Sequence, residues 1–403
     1  MRPFDGRRVL LGVTGGIASY KSVMLARLLT QAGAEVDVVM TSASLEFVGA
    51  ITFEAVTGRR SYSEIFGSGN ALDHIRLARE AELVVVAPAT ADFLARVAHG
   101  HANDLLTAVL LANVSPVLLI PAMNDRMWAN AQTARNVAHL RELGHTVIDP
   151  DEGPLAANEG AGPGRMPEPE TIMAEVARLL ESRRDLSGKK IVVTAGATRE
   201  AIDPVRFISN HSSGRMGVAI AESAWRRGAS VTLIAGHLEV PAPLGVDRID
   251  ALTTKAMRDA VLISLSGAHA LIMAAAPADF RPARVAERKI KKSKASAAPV
   301  LELAETEDIL KSTISARPDG CVVVGFALET EELIENGSAK LAQKSLDLIV
   351  VNSAVEEGAG FGSPTNRVTL LGKDGSREDL SMMKKIELAE ILLDRVAAIL
   401  NER

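Results

Sequence analysis

Arg8-Val9-Leu10-Leu11-Gly12-Val13-Thr14-Gly15-Gly16-Ile17-Ala18-Ser19-Tyr20-Lys21 is the stretch on which the fold turns. Residues 8–14 are short, apolar and free of polar alternation, as in a strand covered on both faces. Two glycines follow, then a helical-period stretch over 17–32 with Gly33 as its stop. A strand that ends in small residues and passes into a helix lets backbone N–H groups approach an anion. The same phrase returns as Ile191-Val192-Val193-Thr194-Ala195-Gly196. Neither copy has the complete G-x-G-x-x-G spacing, so a standard dinucleotide fold is not assigned. Each glycine alone is read equally well as one that only tightens a turn. Two at corresponding places favour phosphate-bearing ligands in both halves.

Further apolar runs lie at 35–40, 83–87, 116–120 and 145–148, then at 230–234, 270–274, 321–324 and 346–351, with a last helix expected over 384–400. They alternate with Ala/Leu/Arg/Glu stretches of helical period, the pattern of parallel strands joined by crossover helices. The expected fold is α/β, with two doubly wound Rossmann-like parallel-sheet domains. The polar run 181–190 precedes a fresh strand, which places the domains at 1–183 and 190–403 with a linker at 184–189.

At about 100–200 residues per domain, 403 residues suit two or three domains, and 47 % hydrophobic content furnishes their cores. Lys plus Arg total 45 against 50 Asp plus Glu, so a net charge of −5 names no partner. Aromatics at 3 % leave few stacking platforms, and no nucleic-acid partner is expected. The most apolar window, 105–123, is broken by Asn113, Ser115, Pro116 and Pro121, short of the roughly 20 apolar residues that span a bilayer. No membrane partner is expected. The lone Cys321 cannot form an intrachain disulfide, and Met1-Arg2-Pro3-Phe4-Asp5-Gly6 lacks a signal-peptide core, so the expected location is cytoplasmic.

In open parallel sheets, loops at the carboxyl ends of strands line the ligand crevice. Three such loops in the first half are small and polar: Gly15-Gly16 with Ser19 and Lys21 as added donors, Met40-Thr41-Ser42-Ala43-Ser44, and Ala87-Pro88-Ala89-Thr90-Ala91-Asp92. Asp73-His74-Ile75-Arg76-Leu77 puts a histidine at the start of an amphipathic helix, where it is more often structural than catalytic. Pro121-Ala122-Met123-Asn124-Asp125-Arg126-Met127-Trp128 follows a strand directly and makes an apolar pocket with one directed amide.

With Ala102-Asn103-Asp104-Leu105-Leu106, these runs resemble the flavin-containing cysteine decarboxylases over residues 7–180. More closely, they resemble the amino-terminal half of the fused phosphopantothenoylcysteine decarboxylase/phosphopantothenate–cysteine ligases of bacteria, a flavodoxin-like flavoprotein domain. The resemblance implies FMN held by Gly15, Gly16, Ser19, Thr41, Ser42, Ala87, Ala89 and Thr90 at trimer interfaces. It implies that His74 assists oxidation of the substrate's cysteine moiety and that Asn124 holds the carboxylate to be lost. A cysteine carboxylate leaves readily only once the thiol-bearing carbon is oxidised to a thioaldehyde that accepts the electrons; a flavin supplies that oxidation and later returns the hydride.

One departure stands out. The family's flap carries an Ala-Cys pair before Gly-x-Gly-Arg-Met, and its cysteine donates the final proton. Here Leu155-Ala156-Ala157-Asn158-Glu159-Gly160-Ala161-Gly162-Pro163-Gly164-Arg165-Met166 has no cysteine; Asn158, or Ala157 with one residue inserted, takes its place. Neither is an acid of that kind. Either Glu159 or water replaces the thiol, or the reaction stops at an enethiol. Cys321 begins an expected core strand and reads as a small buried hydrophobe.

In the second half, Asp203-Pro204-Val205-Arg206-Phe207-Ile208-Ser209-Asn210-His211-Ser212-Ser213-Gly214-Arg215-Met216-Gly217 gathers donors ahead of a helix over 217–227, suited to a phosphate or acyl phosphate. The plain alternative is a helix cap by Ser212 or Ser213. Arg288, Lys289, Lys291, Lys292 and Lys294 form a basic run, read either as a solvated loop or as one that closes over a triphosphate. Ala274-Ala275-Ala276-Pro277-Ala278-Asp279-Phe280 at a strand end favours nucleotide binding.

These runs resemble the ligase half of the same family over 190–400. The resemblance implies CTP with Mg²⁺, with Asp279 at the nucleotide and metal and Lys289 at the phosphates. Ala275, Phe326, Lys340 and Lys344 would complete the site, with Gly325, Ala327, Glu329 and Thr330 around them. Arg206 and Asn210 would act on the acyl-cytidylate, Asn210 by stabilising charge as cysteine attacks. Glu307, Asp308, Ile309 and Leu310 would lie beside the nucleotide, but Glu307 replaces the usual proline and Glu305 a common basic residue. Negative charge there is expected to weaken triphosphate binding unless compensated. Asn352 and Phe361-Gly362-Ser363-Pro364-Thr365-Asn366 match a dimer and substrate-closing region.

The expected activity is CTP-dependent joining of 4′-phosphopantothenate to cysteine, then FMN-dependent decarboxylation to 4′-phosphopantetheine, in a homododecamer built from trimeric and dimeric contacts. Two rivals remain at this point: a ligase whose flavin domain has lost catalysis with the flap cysteine, and a non-catalytic flavoprotein regulatory subunit.

Overall fold

The computed structural model describes residues 4–66, 72–154, 160–291, 300–329, 331–353, 363 and 365–403. The chain divides into two compact units, Met1–Leu180 and Glu181–Arg403. In the first, β1 (Arg8–Val13), β2 (Glu35–Met40), β3 (Ser61–Tyr62), β4 (Leu83–Ala89), β5 (Val117–Pro121) and β6 (Thr146–Val147) form one parallel sheet in the order β3-β2-β1-β4-β5-β6. Without the two-residue edge β3, this is the flavodoxin-like order, whose direction reverses between β1 and β4. Along β1, Val9, Leu11 and Val13 enter one core and Leu10 the other, so helices cover both faces. The first helix, Ser19–Gln31, starts two residues beyond the expected 17, because Ser19 N–H is turned back onto Gly16 O at 3.0 Å. The window 105–123 resolves into a buried helix, Leu105–Ala112, and buried β5. No helix among the described residues is long and apolar enough to cross a membrane. A hairpin, β7 (Asp151–Pro154) with β8 (Ala161–Arg165), forms the described part of the flap. Ala157, Asn158 and Glu159 lie outside the described residues.

The second unit comprises β9 (Lys190–Ala195), the hairpin β10 (Arg199–Ala201) and β11 (Phe207–Ser209), β12 (Ser230–Ala235), β13 (Asp247–Asp250), β14 (Ala270–Met273), the hairpin β15 (Phe280–Pro282) and β16 (Leu303–Glu305), β17 (Val322–Glu329), β18 (Leu348–Ser353), β19 (Thr365–Gly372) and β20 (Arg377–Lys384). Its sheet runs β13-β12-β9-β14-β17-β18-β19-β20, parallel as far as β18, then antiparallel. The reversal point falls between β9 and β14. β13 and β20 escape sequence reading because they are edge strands: Asp247–Asp250 is wholly exposed, and Arg377–Lys384 presents charge where a core strand would be apolar. The last helix is Lys385–Asn401.

Residues 183–187 are tied into the second unit by charge. The Arg227 side chain is fully buried, and it donates to Asp185 (Nε, 3.0 Å), to Asp394 at 2.7 Å and to the Glu390 carbonyl at 3.2 Å. Arg183 and Arg226 reach the same Glu390 carboxylate at 2.6 and 2.5 Å. Removing one side of a buried pair strands the other without solvent, at about 3–5 kcal/mol. Arg227→Met is therefore expected to destabilise the protein by about 3 kcal/mol in urea unfolding, whereas removing the exposed Arg248–Asp250 pair leaves the midpoint nearly unchanged.

Candidate active sites

In the first unit, three loops meet where the sheet reverses. Thr14 Oγ1 donates to Pro88 O (2.8 Å) and accepts from Thr90 N (3.1 Å), lacing the β1 loop to the β4 loop. A Cβ on Gly15 would stand 2.5 Å from Ala43 Cβ, so the loop after β2 closes on that glycine; a Cβ on Gly16 would meet nothing nearer than Thr90 Cγ2 at 3.9 Å. Gly16 thus borders open space over the carboxyl ends of β1 and β4.

Other expected donors are already engaged. Ser19 Oγ donates to Gly16 O at 2.6 Å and shapes the turn. Lys21 is buried, its Nζ on Met166 O at 2.6 Å and Glu168 at 3.1 Å, so it anchors the far end of the flap rather than offering a phosphate donor. Thr41 is buried, with its hydroxyl turned to Val13 O. Ala87 and Ala89 are core residues that can meet a ligand only through backbone, Thr90 caps the helix Ala91–Ala98, and Ser42 is exposed.

Asn124 Oδ1 accepts from Arg126 N at 2.9 Å, which leaves its NH₂ as the free end. Its neighbour Met123 donates to Gly164 O at 3.0 Å, and a Cβ on Gly164 would lie 2.2 Å from Met123 O. The flap base and the Asn124 loop are therefore in contact. His74, half-buried, opens the helix Asp73–Glu80, which packs on Leu105–Ala112; no hydrogen bond among the described residues joins it to Asn124. Asp104, within another motif, caps Leu105–Ala112 in a capping box with Thr107. Cys321 sits in the second unit's core, its thiol pushed up to about 11 by burial.

The second unit holds a crevice of about 800 Å³ at the carboxyl ends of β14, β17 and β18, the size of a small-ligand site. Its floor is loop 274–279, fixed by threonine hydroxyls: Thr194 Oγ1 accepts from Ala275 N (3.1 Å), Thr198 Oγ1 accepts from Ala278 N (2.9 Å), and Thr306 Oγ1 donates to Ala278 O (2.6 Å). Asn210 Nδ2 donates to Pro277 O at 2.9 Å and so overhangs that loop. One wall carries Asp308, Lys340 and Lys344, with Lys344 paired to Asp308 at 3.1 Å and Lys340 to Glu329 at 2.5 Å. Asp279, Glu307, Ile309, Leu310 and Phe326 also line it. Glu307 is ion-paired with Arg258, so its charge is compensated by a residue far upstream that sequence reading had no means to find.

Neither Ser212 nor Ser213 caps the following helix. Its N-cap is Gly214, at φ +77° and without a side-chain hydrogen bond, and the helix itself is Arg215–Arg226. The capping explanation for the serines is thereby overturned. Arg206 and Lys289 lie outside the crevice lining, both exposed. They are neighbours through Asp203, whose buried carboxylate pairs with Arg206 (3.0 Å) and accepts from Ile290 N (3.1 Å). Lys292, Lys294, Thr330, Phe361, Gly362 and Pro364 lie outside the described residues, while Asn352 and Asn366 line the crevice. Arg215 and Lys385 line it as well, unnoticed in the sequence.

Residues 2–181 match the Flavoprotein family, and residues 186–400 match DFP, the DNA/pantothenate metabolism flavoprotein C-terminal domain. Proteins named coenzyme A biosynthesis bifunctional protein CoaBC are similar along the whole chain. That of Mycobacterium tuberculosis H37Rv is 44 % identical over 98 % of this chain and 97 % of its own, and that of Bacillus subtilis 168 is 42 % identical over 98 % of each. The chain belongs to this coenzyme A biosynthesis bifunctional family. A solved C-terminal domain of one such protein is 36 % identical, covering 55 % of this chain and 100 % of its own, with a TM-score of 0.47. Members of the family are bifunctional enzymes of coenzyme A biosynthesis, and the chain accordingly carries a flavoprotein decarboxylase domain and a ligase domain. The regulatory-subunit reading is not favoured.

Because Ala43 leaves no room beside Gly15, Gly15→Ala should push residues 41–44 away from the β1 loop. The purified variant is expected to retain several-fold less flavin than the parent, read from its visible absorbance after gel filtration.

Proposed function

We propose that the second unit joins 4′-phosphopantothenate to cysteine at the expense of CTP, and that the first decarboxylates the product to 4′-phosphopantetheine with FMN. The observation that carries the ligase reading is the crevice floor, with Asn210 fixed over loop 274–279 and a wall on which Lys340 and Lys344 are each held by a carboxylate. A substrate carboxylate oxygen attacks the α-phosphorus of CTP; pyrophosphate leaves and an acyl-cytidylate forms. The cysteine amine then attacks the acyl carbon, CMP leaves, and an amide results. Lys340 and Lys344 balance triphosphate charge, and Ala275 and Phe326 flank the nucleotide. Asn210 donates to Pro277 O at 2.9 Å and only weakly, at 3.5 Å, to Ala276 O, a contact it would exchange for the oxyanion that develops as the amine attacks. Arg206, tied through Asp203 to the backbone of Ile290, and Lys289 next in sequence to it would approach the phosphates from the rim.

Among the described residues no cluster of three metal-ligating side chains exists. That suits Mg²⁺, which is commonly carried by substrate phosphates and one or two carboxylates rather than a protein cage, here Asp279.

FMN is supported by the open space beside Gly16 and the three loops laced around it. Bound there, it would supply the two-electron redox chemistry that decarboxylation of a cysteine moiety needs. The chain's own part is to orient the substrate: the free NH₂ of Asn124 donates to the departing carboxylate, His74 handles a proton, and the flap, pinned at Met123 and Lys21, shuts out water. A homododecamer is supported by uncovered apolar residues on each unit, Ile17, Tyr20 and Met24 on the first, Phe207, Phe280 and Leu303 on the second. A cytoplasmic setting is supported by the single buried cysteine.

Mass spectrometry of products from phosphopantothenate, cysteine, CTP and Mg²⁺ tests both activities; absence of any cysteine adduct overturns the ligase reading. Asn210→Asp is expected to accumulate the acyl-cytidylate, and undiminished coupling to cysteine removes its assigned role. Asn158→Cys or Ala157→Cys is expected to raise phosphopantetheine yield if the absent thiol limits the last proton transfer; unchanged yield from both points to another donor.

A further inference from the structure

Arg317 does not line the crevice, yet it holds two of the parts that do. The helix Ile309–Thr313, capped by Asp308, brings Asp308, Ile309 and Leu310 to the wall that carries Lys340, and the helix Leu333–Gln343 ends just before Lys344 on the same wall. The Arg317 guanidinium sits between the carboxyl ends of these two helices. Its Nε donates to Thr313 Oγ1 (3.1 Å), Nη2 to Leu310 O (2.8 Å) and Lys344 O (3.0 Å), and Nη1 to Ser345 O (2.7 Å). The buried Thr313 hydroxyl donates in turn to the same Leu310 O at 2.7 Å, which closes a ring of hydrogen bonds around that helix end. All these acceptors are neutral, and no carboxylate pairs with Arg317 among the described residues. Asp347, whose charge reaches it, is taken instead by Arg403 and by Val323 N–H.

The last carbonyls of a helix lack intrahelical partners and carry partial negative charge. A planar fork of N–H groups can serve two such ends at once, as a lysine cannot. Ser345 makes the second end demanding: its φ is +49°, in the left-handed region that a residue with a side chain seldom takes. The carbonyls Arg317 holds there are those of Ser345 and Lys344, so the turn that aims the Lys344 side chain is fixed from behind. On the crevice side the two elements meet through one ion pair. Asp308 accepts from Lys311 N (3.2 Å) with Oδ1 and pairs with Lys344 Nζ (3.1 Å) through Oδ2. Arg258, likewise outside the lining, holds Glu307 just ahead of it. A lysine that exchanges a carboxylate for a phosphate oxygen keeps its aim only while its backbone stays in place.

We infer that Arg317 is a positioning residue of the ligase reaction: by fixing the Lys344 backbone against the helix that follows Asp308, it lets Lys344 exchange Asp308 for the phosphates of the nucleotide without losing its place. Arg317 touches neither nucleotide nor substrate, and the inference rests on the ligase function proposed above.

A pyrophosphate-release assay of the full chain tests it. Arg317→Met is expected to raise KM for CTP about tenfold, the scale of a charge-assisted hydrogen bond that is no longer aimed, while kcat and KM for phosphopantothenate stay within about twofold. Arg317→Lys keeps the cation at the helix ends but cannot span both. It is expected to hold a urea midpoint near the parent's and still to raise KM for CTP about fivefold. In a Lys344→Met background, Arg317→Met should add less than about twofold to KM for CTP, because the side chain it aims is gone. An unchanged KM for CTP in both Arg317 variants overturns the inference. So does a rise shared equally by phosphopantothenate, or full additivity with Lys344→Met, since either marks a general loss of structure. If the parent chain releases no pyrophosphate from CTP and phosphopantothenate, the ligase reading itself fails, a result distinct from these.

Discussion

One hydroxyl in each unit laces the sheet together at the place where its strand order reverses. Strands on either side of a reversal are followed by loops that run apart, and the gap is what admits a ligand. Thr14, just past the end of β1, holds the loop after β4 through both Pro88 O and Thr90 N. Thr194, in β9, holds the loop after β14 through Ala275 N. In the first unit the turn behind Thr14 borders open space at Gly16; in the second, Gly196 is packed against His237 O, and it is the loop held by Thr194 that forms the floor of the crevice.

Each unit builds differently on that lace. In the second, threonine hydroxyls multiply: Thr198 and Thr254, both buried, and half-buried Thr306 converge on Ala278, satisfying its N–H and C=O in the pocket wall. The result is a rigid floor under Asn210, and a carboxamide donor aimed by two shells of hydrogen bonds can stabilise charge without first reorganising. In the first, the floor is backbone and small side chains, Gly15, Gly16, Ala87 and Ala89, as a flat ring needs close approach over a surface rather than directed polar contact.

The longer parallel strands and the loops at their ends were legible because each rests on local pattern: β1, β9 and β14 are continuous apolar runs buried on both sides, whereas β19, antiparallel inside the second sheet, was not read as a strand. Asn124 and Asn210 were legible as candidates because each follows a strand directly or precedes a helix start. What a side chain does there was not. Ser19 and Lys21 look like phosphate donors in sequence, yet one is spent on its own turn and the other on Met166, a contact across 145 positions. Glu307 looks like a liability until Arg258 arrives from another helix. Lys385 carries no local signal, because only the fold brings it to the crevice beside Arg215.

The two sites differ in how much of each the described residues of one chain bring together. The ligase crevice gathers floor, wall and overhanging amide from one chain. In the decarboxylase unit, Asn124 and the flap base are joined, whereas His74 stands on a helix with no hydrogen bond to them among the described residues. Ile17, directly after the Gly15-Gly16 turn, and Tyr20 and Met24 on the helix that follows leave apolar surface exposed beside the proposed flavin loops. Covering that surface with a second copy removes apolar area from water. In the homododecamer proposed above, such a contact would lie beside the loops proposed to hold the flavin, so that burying Ile17 and enclosing that site would be coupled.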